Sequence, residues 1–244
     1  DRMRKLFFIA VALFLTTGCA TQGINRFNYT DNAPMQVSNE KGVPLPASQV
    51  WDILVKELSK SFYIINNIDK ESRIINVSFS STSPAEYIDC GKTHRTYIQG
   101  DKIEVYDYDV AGPSEFKIAT AQQEHPSFSN YIIVRRETIL EGRSNIYIAP
   151  DEKDNTNTIV SVNIRYIWTV KLKGEAFAQH VRGNVFSRGR LPEENVTITF
   201  NTNKHGQYTA SNGEKITCFS KGTLEREILE MAKGKQKTIK EFNK

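Results

Sequence analysis

The chain has 244 residues, 39% hydrophobic and 25% charged, with a formal net charge of +4. Five lysines and one glutamate between Lys233 and Lys244 account for that surplus, so the basic balance belongs to the tail. No basic stripe interleaved with aromatics runs through the body, which excludes nucleic acid as the expected partner.

The first element is Met3 to Cys19, MRKLFFIAVALFLTTGC. Arg4 and Lys5 make a positive start, Leu6 to Leu15 is an unbroken apolar run, and Thr16, Thr17 and Gly18 are small. This order predicts a secretory signal peptide over residues 1–18. The run falls short of the roughly 20 apolar residues that span a bilayer. A buried core helix is the competing reading, but no polar face interrupts the apolar block. The small residue followed by Cys19 resembles the lipobox of bacterial lipoproteins. That resemblance implies cleavage before Cys19, a diacylglycerol on its thiol and an acyl group on its amine. Ala20, standing where inner-membrane lipoproteins carry Asp, implies the outer membrane, with the domain facing the periplasm or the cell surface. Each buried acyl CH₂ contributes roughly 0.8 kcal/mol, so two or three chains anchor stably.

With Cys19 acylated, Cys90 and Cys218 are the remaining cysteines. An even pair in an oxidising compartment predicts a disulfide between them. Loop-closure entropy puts its contribution at about 4–5 kcal/mol at most. Two separate buried thiols are the alternative. Metal binding is the weakest reading, because no CxxC or neighbouring His pair accompanies them.

Residues 19–46 carry the acylated cysteine and a polar stretch with Pro34, Pro44 and Pro46. They are expected to form a flexible tether spanning about 30 Å. Ala47 to Ser61 predicts an amphipathic helix, with Val50, Leu54 and Leu58 at spacing four, Pro46 in its first turn and Ser48 as its cap. Phe62–Ile65 and Arg73–Ser80 predict two strands around a turn at 66–69; Ile75, Val77 and Phe79 alternate with Asn76, Ser78 and Ser80. Thr93–Ile98 predicts a strand. Gly100–Asn130 is expected as a long irregular excursion around short strands at 103–106 and 116–119.

Tyr131–Arg136 and Ser144–Pro150 predict strands. The clearest pattern follows, with Val160, Val162, Ile164, Tyr166, Trp168, Val170 and Leu172 alternating with Ser161, Asn163, Arg165 and Thr169. That predicts a long antiparallel strand with one wet face. Lys173–Glu194 keeps no register. Val196–Phe200 and Lys215–Phe219 predict strands on either side of a loop at 203–214. Thr223 to about Lys233 predicts a second helix capped by Thr223, with Glu225 in its first turn.

Two motifs stand out, Asp89-Cys90-Gly91 and Cys218-Phe219-Ser220-Lys221-Gly222-Thr223-Leu224-Glu225. With the lipobox they resemble a group of uncharacterised proteobacterial outer-membrane lipoproteins, from which no activity carries over. The element order is similar to the helix-grip domains found in a lipoprotein of the outer-membrane β-barrel assembly machinery. The expected fold is therefore α+β: residues 47–234 as a single domain, an antiparallel sheet with N- and C-terminal helices on one face, followed by a basic tail at 235–244.

Catalytic spacing is weak. His94, His125, His180 and His205 are scattered without a metal-ligand repeat. Gly112-Pro113-Ser114-Glu115-Phe116 starts like a nucleophile elbow but lacks the closing glycine. Asp107 and Asp109 bracket Tyr108 and fit strand alternation better than a carboxylate pair. The expected function is that of a lipid-anchored, non-enzymatic envelope protein without cofactor, held to the membrane by Cys19 and binding another envelope component. A carrier of a small apolar ligand and a glycan-acting enzyme are the alternatives.

Overall fold

The computed structural model of the chain describes residues 22–120, 125, 127–154, 156–210 and 213–234. The leader, Cys19 and the 235–244 tail lie outside the described residues. In chain order the strands are β1 Ile24–Thr30, β2 Glu40–Val43, β3 Ile64–Asp69, β4 Ile74–Ser81, β5 Ile88–Asp89, β6 Lys92–Gln99 and β7 Lys102–Asp109. They continue with β8 Ser114–Ala119, β9 Phe128–Pro150, β10 Thr158–His180, β11 Val185–Arg190, β12 Glu194–Asn201, β13 His205–Thr209 and β14 Lys215–Ser220. Helix α1 is Ala47–Leu58 and α2 is Thr223–Met231.

β9 and β10 form the spine. Each has 23 residues, and they pair antiparallel throughout, from Phe128 opposite His180 to Pro150 opposite Thr158. At 3.3 Å per residue the spine is about 75 Å long. Between Leu140 and Ile148 the even-numbered residues of β9 are buried and the odd-numbered ones exposed. On the same face β10 buries Val160, Val162, Ile164, Tyr166, Trp168 and Val170.

The two halves of the spine have different neighbours. Near its turn, β4 and then β3 extend the sheet beyond β9, while β2 and β12 follow one another along β10. Near its open end, β8 pairs with β9 and β11 with β10. Two smaller sheets complete the fold, β1-β6-β7 and β13-β14-β5. The first packs against β8, and the second against β12.

The core fills the inner face of the turn half. Val50, Leu54 and Leu58 of α1 and Leu224, Ile228 and Leu229 of α2 share one cluster with Ile75, Val77, Ile146, Val162 and Trp168. Each such side chain contributes about 1.5–3 kcal/mol on burial. One row across the sheet is Phe79, Gly142, Tyr166 and Phe200. Gly142 lets the Phe79 ring lie flat on the sheet, because a Cβ there would overlap that ring.

The α+β, helix-grip-like expectation is overturned. Among the described residues strands hold 59% and helical turns 12%, with two short α-helices. Much of what was expected to be irregular is strand: β7 and β8 lengthen the short strands expected at 103–106 and 116–119, and the end of β10, β11 and β13 lie within 173–194 and 203–214. Their patterns hide because neighbouring sheets cover parts of both faces. Lys173 to Phe177 of β10 are consecutive and all half-buried, so no period of two survives there. The turn expected at 66–69 is part of β3, where a register shift between Ile65 and Asn67 bulges the strand. Neither predicted helix cap forms: Pro46 and Gly222 occupy the N-cap positions without a side-chain cap, and the Thr223 hydroxyl donates to the Glu86 carbonyl at 3.2 Å.

Most of the expected tether is also folded. β1 pairs with β6, and β2 pairs with β10. Between them, Asn32 Nδ2 donates to both carboxylate oxygens of Asp89 at 2.8 and 2.9 Å. Val37 is buried, its N–H donating to Asn203 Oδ1 at 2.7 Å and its carbonyl accepting from Asn203 Nδ2 at 3.0 Å. These partners lie far away in sequence, so local polarity could not reveal them. Limited proteolysis is expected to leave residues 24–46 intact. Asn203→Ala, which removes both bonds to Val37 at a cost of about 1–3 kcal/mol, is expected to open cleavage near residues 33–39. Rapid cleavage of that stretch in the unaltered chain would contradict the clamp.

Candidate functional site

The cysteine motifs form a structural junction. Cys90 and Cys218 are joined by a disulfide. Asp89 Oδ1 accepts from the Gly91 N–H at 2.9 Å, which shapes the loop around the bond. Tyr29 OH donates to the Cys90 carbonyl at 3.2 Å and accepts from the Thr217 N–H at 3.3 Å, so β1 is tied to both sides of the bridge. Burial is the largest influence on Tyr29 and pushes its pKa up to about 12.

The second motif leads into a buried carboxyl. Glu225 is fully buried and accepts from Tyr166 OH at 2.8 Å, Thr202 Oγ1 at 2.8 Å and Ser220 Oγ at 3.1 Å. It lies in the first turn of α2, where the helix dipole favours negative charge. Ser220 Oγ also accepts from the Gly222 N–H at 2.9 Å. Gly222 has φ +70°, and a Cβ there would come within 2.8 Å of Val37, so glycine is required for both reasons. Burial, and then the Glu225 carboxyl, raises the pKa of Tyr166 well above its ordinary value. These residues join α2, β10 and the turn after β12.

The residues weighed as catalytic candidates do not gather at one place. Ser114 accepts from the buried Arg136 guanidinium at 3.1 Å, and the same guanidinium holds the carbonyls of Val110 at 2.6 Å and Gly112 at 3.2 Å. Asp107 pairs with His94 at 2.6 Å, both exposed on the outer face of the β1-β6-β7 sheet. His125 and His180 flank the Phe128 ring at the open end of the spine. Among the described residues, no group of three or more His, Cys, Asp or Glu side chains is arranged to hold a metal ion.

The feature that sequence reasoning missed is on the outer face of the turn half. Asn67, Asn76, Asn145 and Asn163 are register partners in one row across β3, β4, β9 and β10. Asn76 Nδ2 donates to Asn145 Oδ1 at 2.6 Å, and Asn39 Nδ2 extends the row by donating to Asn163 Oδ1 at 3.0 Å. The β3 bulge adds Asn66, which accepts from Ser78 Oγ at 3.2 Å. In the next row Arg143 stands directly opposite Arg165, flanked by Ser78 and Asn201. Both arginines are exposed, and neither has an ion pair among the described residues. Glu141 lies two residues along β9 from Arg143 on the same face.

Both rows run against the usual composition of sheets. Asparagine is depleted in strands, and like charges directly opposite one another are destabilising. An open depression of about 720 Å³ lies over the β3, β4 and β9 part of these rows, lined by Asn66, Asn67, Asn76, Asn145 and Arg143; Asn163 and Arg165 of β10 stand outside its lining. Amide N–H and C=O groups beside two guanidinium forks suit a ligand with anionic oxygens and further hydrogen-bonding groups. The available signal was the asparagines at outward positions of β4 and β10; their alignment needs the pairing of four strands.

Comparison of the chain with protein-family models, characterised proteins and solved structures finds no match in any of the three.

Glu225→Ala strips three buried hydroxyls of their acceptor and is expected to lower unfolding free energy by about 3 kcal/mol or more. Tyr166→Phe removes one donor and is expected to cost about 1 kcal/mol. Urea unfolding checks both, and equal losses would contradict the central place of the carboxyl.

Proposed function

We propose that this chain is a lipid-anchored protein of the bacterial envelope, related to the outer-membrane lipoproteins its motifs resemble. It acts by binding rather than by catalysis. The signal-like stretch ending in Cys19 supports the anchor, and the Cys90–Cys218 bond is consistent with an oxidising compartment. Among the described residues no helix is long and apolar enough to cross a membrane; the acyl groups on Cys19 supply the attachment.

The observation that carries the binding reading is the opposed pair Arg143 and Arg165 beside the amide row. A sheet gains nothing from placing two cations opposite each other, whereas a ligand anion shared between them gains two forked donors. The partner is therefore an envelope component presenting phosphate, carboxylate or sulfate oxygens together with hydroxyl or amide groups.

The test compares the full chain with Arg143→Ala/Arg165→Ala, each immobilised and exposed to detergent-solubilised envelope. Charge-assisted bonds contribute about 1.5–3 kcal/mol each, so loss of both cations is expected to weaken retention more than tenfold. High salt is expected to release the component from the unaltered chain. Equal retention by both proteins, or no component held by the unaltered one, would contradict the proposal.

A further inference from the structure

The open end of the spine gathers exposed and half-buried apolar side chains from three strands of one sheet, from the turn between β10 and β11 and from the start of β11. On the outer face of the β1-β6-β7 sheet, Ile24, Ile98 and Ile103 are register partners in a single row. The adjacent row is Arg26, Thr96 and Val105. Ile103 is 65% exposed, Ile24 56% and Val105 53%. The character then changes along the face. The next rows are Asn28, His94 and Asp107, then Thr30, Lys92 and Asp109. Its acidic groups sit in those far rows, Asp107 beside His94 and Asp109 beside Lys92.

The apolar end of that sheet is next to the open end of the spine. Gln99 Nε2 donates to Ser129 Oγ, and Asn25 exchanges two hydrogen bonds with the backbone of Ala119. Ser129 is opposite Gln179 in the spine, and the Val181 N–H donates to the Ser127 carbonyl at 2.9 Å. Val181, Val185 and Phe186 are each about half exposed there. Arg26, Lys102 and Arg182 are exposed around the same end, and Asp101 adjoins Lys102.

This is also the end at which the N-terminal chain enters the fold. Cys19 precedes Ile24 by five residues, a fully extended reach of about 17 Å. The headgroup layer of one leaflet is only about 5–8 Å thick. An acylated Cys19 therefore holds the isoleucine row close to the membrane surface.

We propose that this end of the molecule seats on the lipid surface. Ile24, Ile98, Ile103, Val105 and Phe186 enter the headgroup region, the surrounding cations meet phosphate oxygens, and the spine stands away from the bilayer. The proposal rests on the anchor at Cys19. About 16 residues of β9 separate Ser129 from Asn145, so the amide row would stand about 50 Å above the seat. A rigid spine then does what the expected tether was to do.

The experiment places an environment-sensitive nitrobenzoxadiazole label, in separate full-length acylated chains, on Ile103→Cys, Phe186→Cys or Tyr147→Cys. Tyr147 is also exposed but lies near the spine turn. Vesicles are phosphatidylethanolamine with a minor fraction of phosphatidylglycerol and brominated acyl chains. Labels at 103 and 186 are expected to lose more than half their fluorescence relative to unbrominated vesicles, and the label at 147 none. Mass spectrometry of the same protein reads the acyl groups on Cys19. An acylated chain without quenching at 103 and 186, or with equal quenching at 147, overturns the seating alone. A mature chain with unmodified Cys19 overturns the anchor and the seating together.

Discussion

The register of β9 against β10 is the constraint on which the rest depends. Because side chains alternate with a period of two, a slip of one residue would send every buried residue of one strand to the wet face. With Tyr166 opposite Gly142 the inner row can hold Phe79, Tyr166 and Phe200 in edge and stacked contacts, with ring centres 6.3 and 5.2 Å apart. The same register lines up Asn145 with Asn163 and Arg143 with Arg165 on the outer face. Core and candidate site are two faces of one pairing.

What fixes the smaller parts to the spine is polar and covalent rather than apolar alone. The disulfide joins β14 to the loop before β6, Tyr29 ties β1 to that bridge, and Glu225 gathers hydroxyls from β10, β14 and the turn after β12. A buried carboxyl without its donors would be costly, so these contacts select one arrangement of α2 as well as stabilise it. Arg136 plays the same part at the middle of the spine, where its guanidinium gathers the carbonyls of the turn before β8. Burial pulls its pKa below the usual arginine value.

Some of this was legible in the sequence. The alternation from Val160 to Leu172 announced β10, the spacing of Val50, Leu54 and Leu58 announced α1, and the cysteine count announced the bridge. The remainder depends on contacts between distant segments. The continuation of β10 past Leu172 is covered irregularly and lost its period; β7 and β8 were expected only as short strands at 103–106 and 116–119, and their full length depends on their partners. Residues 20–46 looked like a coil because Tyr29, Val37 and Val43 are too far apart to form a local pattern, yet each finds a partner elsewhere. The asparagines of the outer row belong to four strands, and no local window contains them all.

Function on this account follows from geometry along the spine. One end carries the apolar rows and the incoming N-terminal chain, where the proposed anchor would lie; the other carries amides and guanidinium groups on an open face. The most direct measurement is therefore the register itself, read from interstrand nuclear Overhauser contacts in isotope-labelled protein. The account predicts Asn145 against Asn163 and Arg143 against Arg165. Contacts of Asn145 with Val162 or Ile164 as its direct partner would contradict it, because the amide row and the paired arginines would no longer share a face.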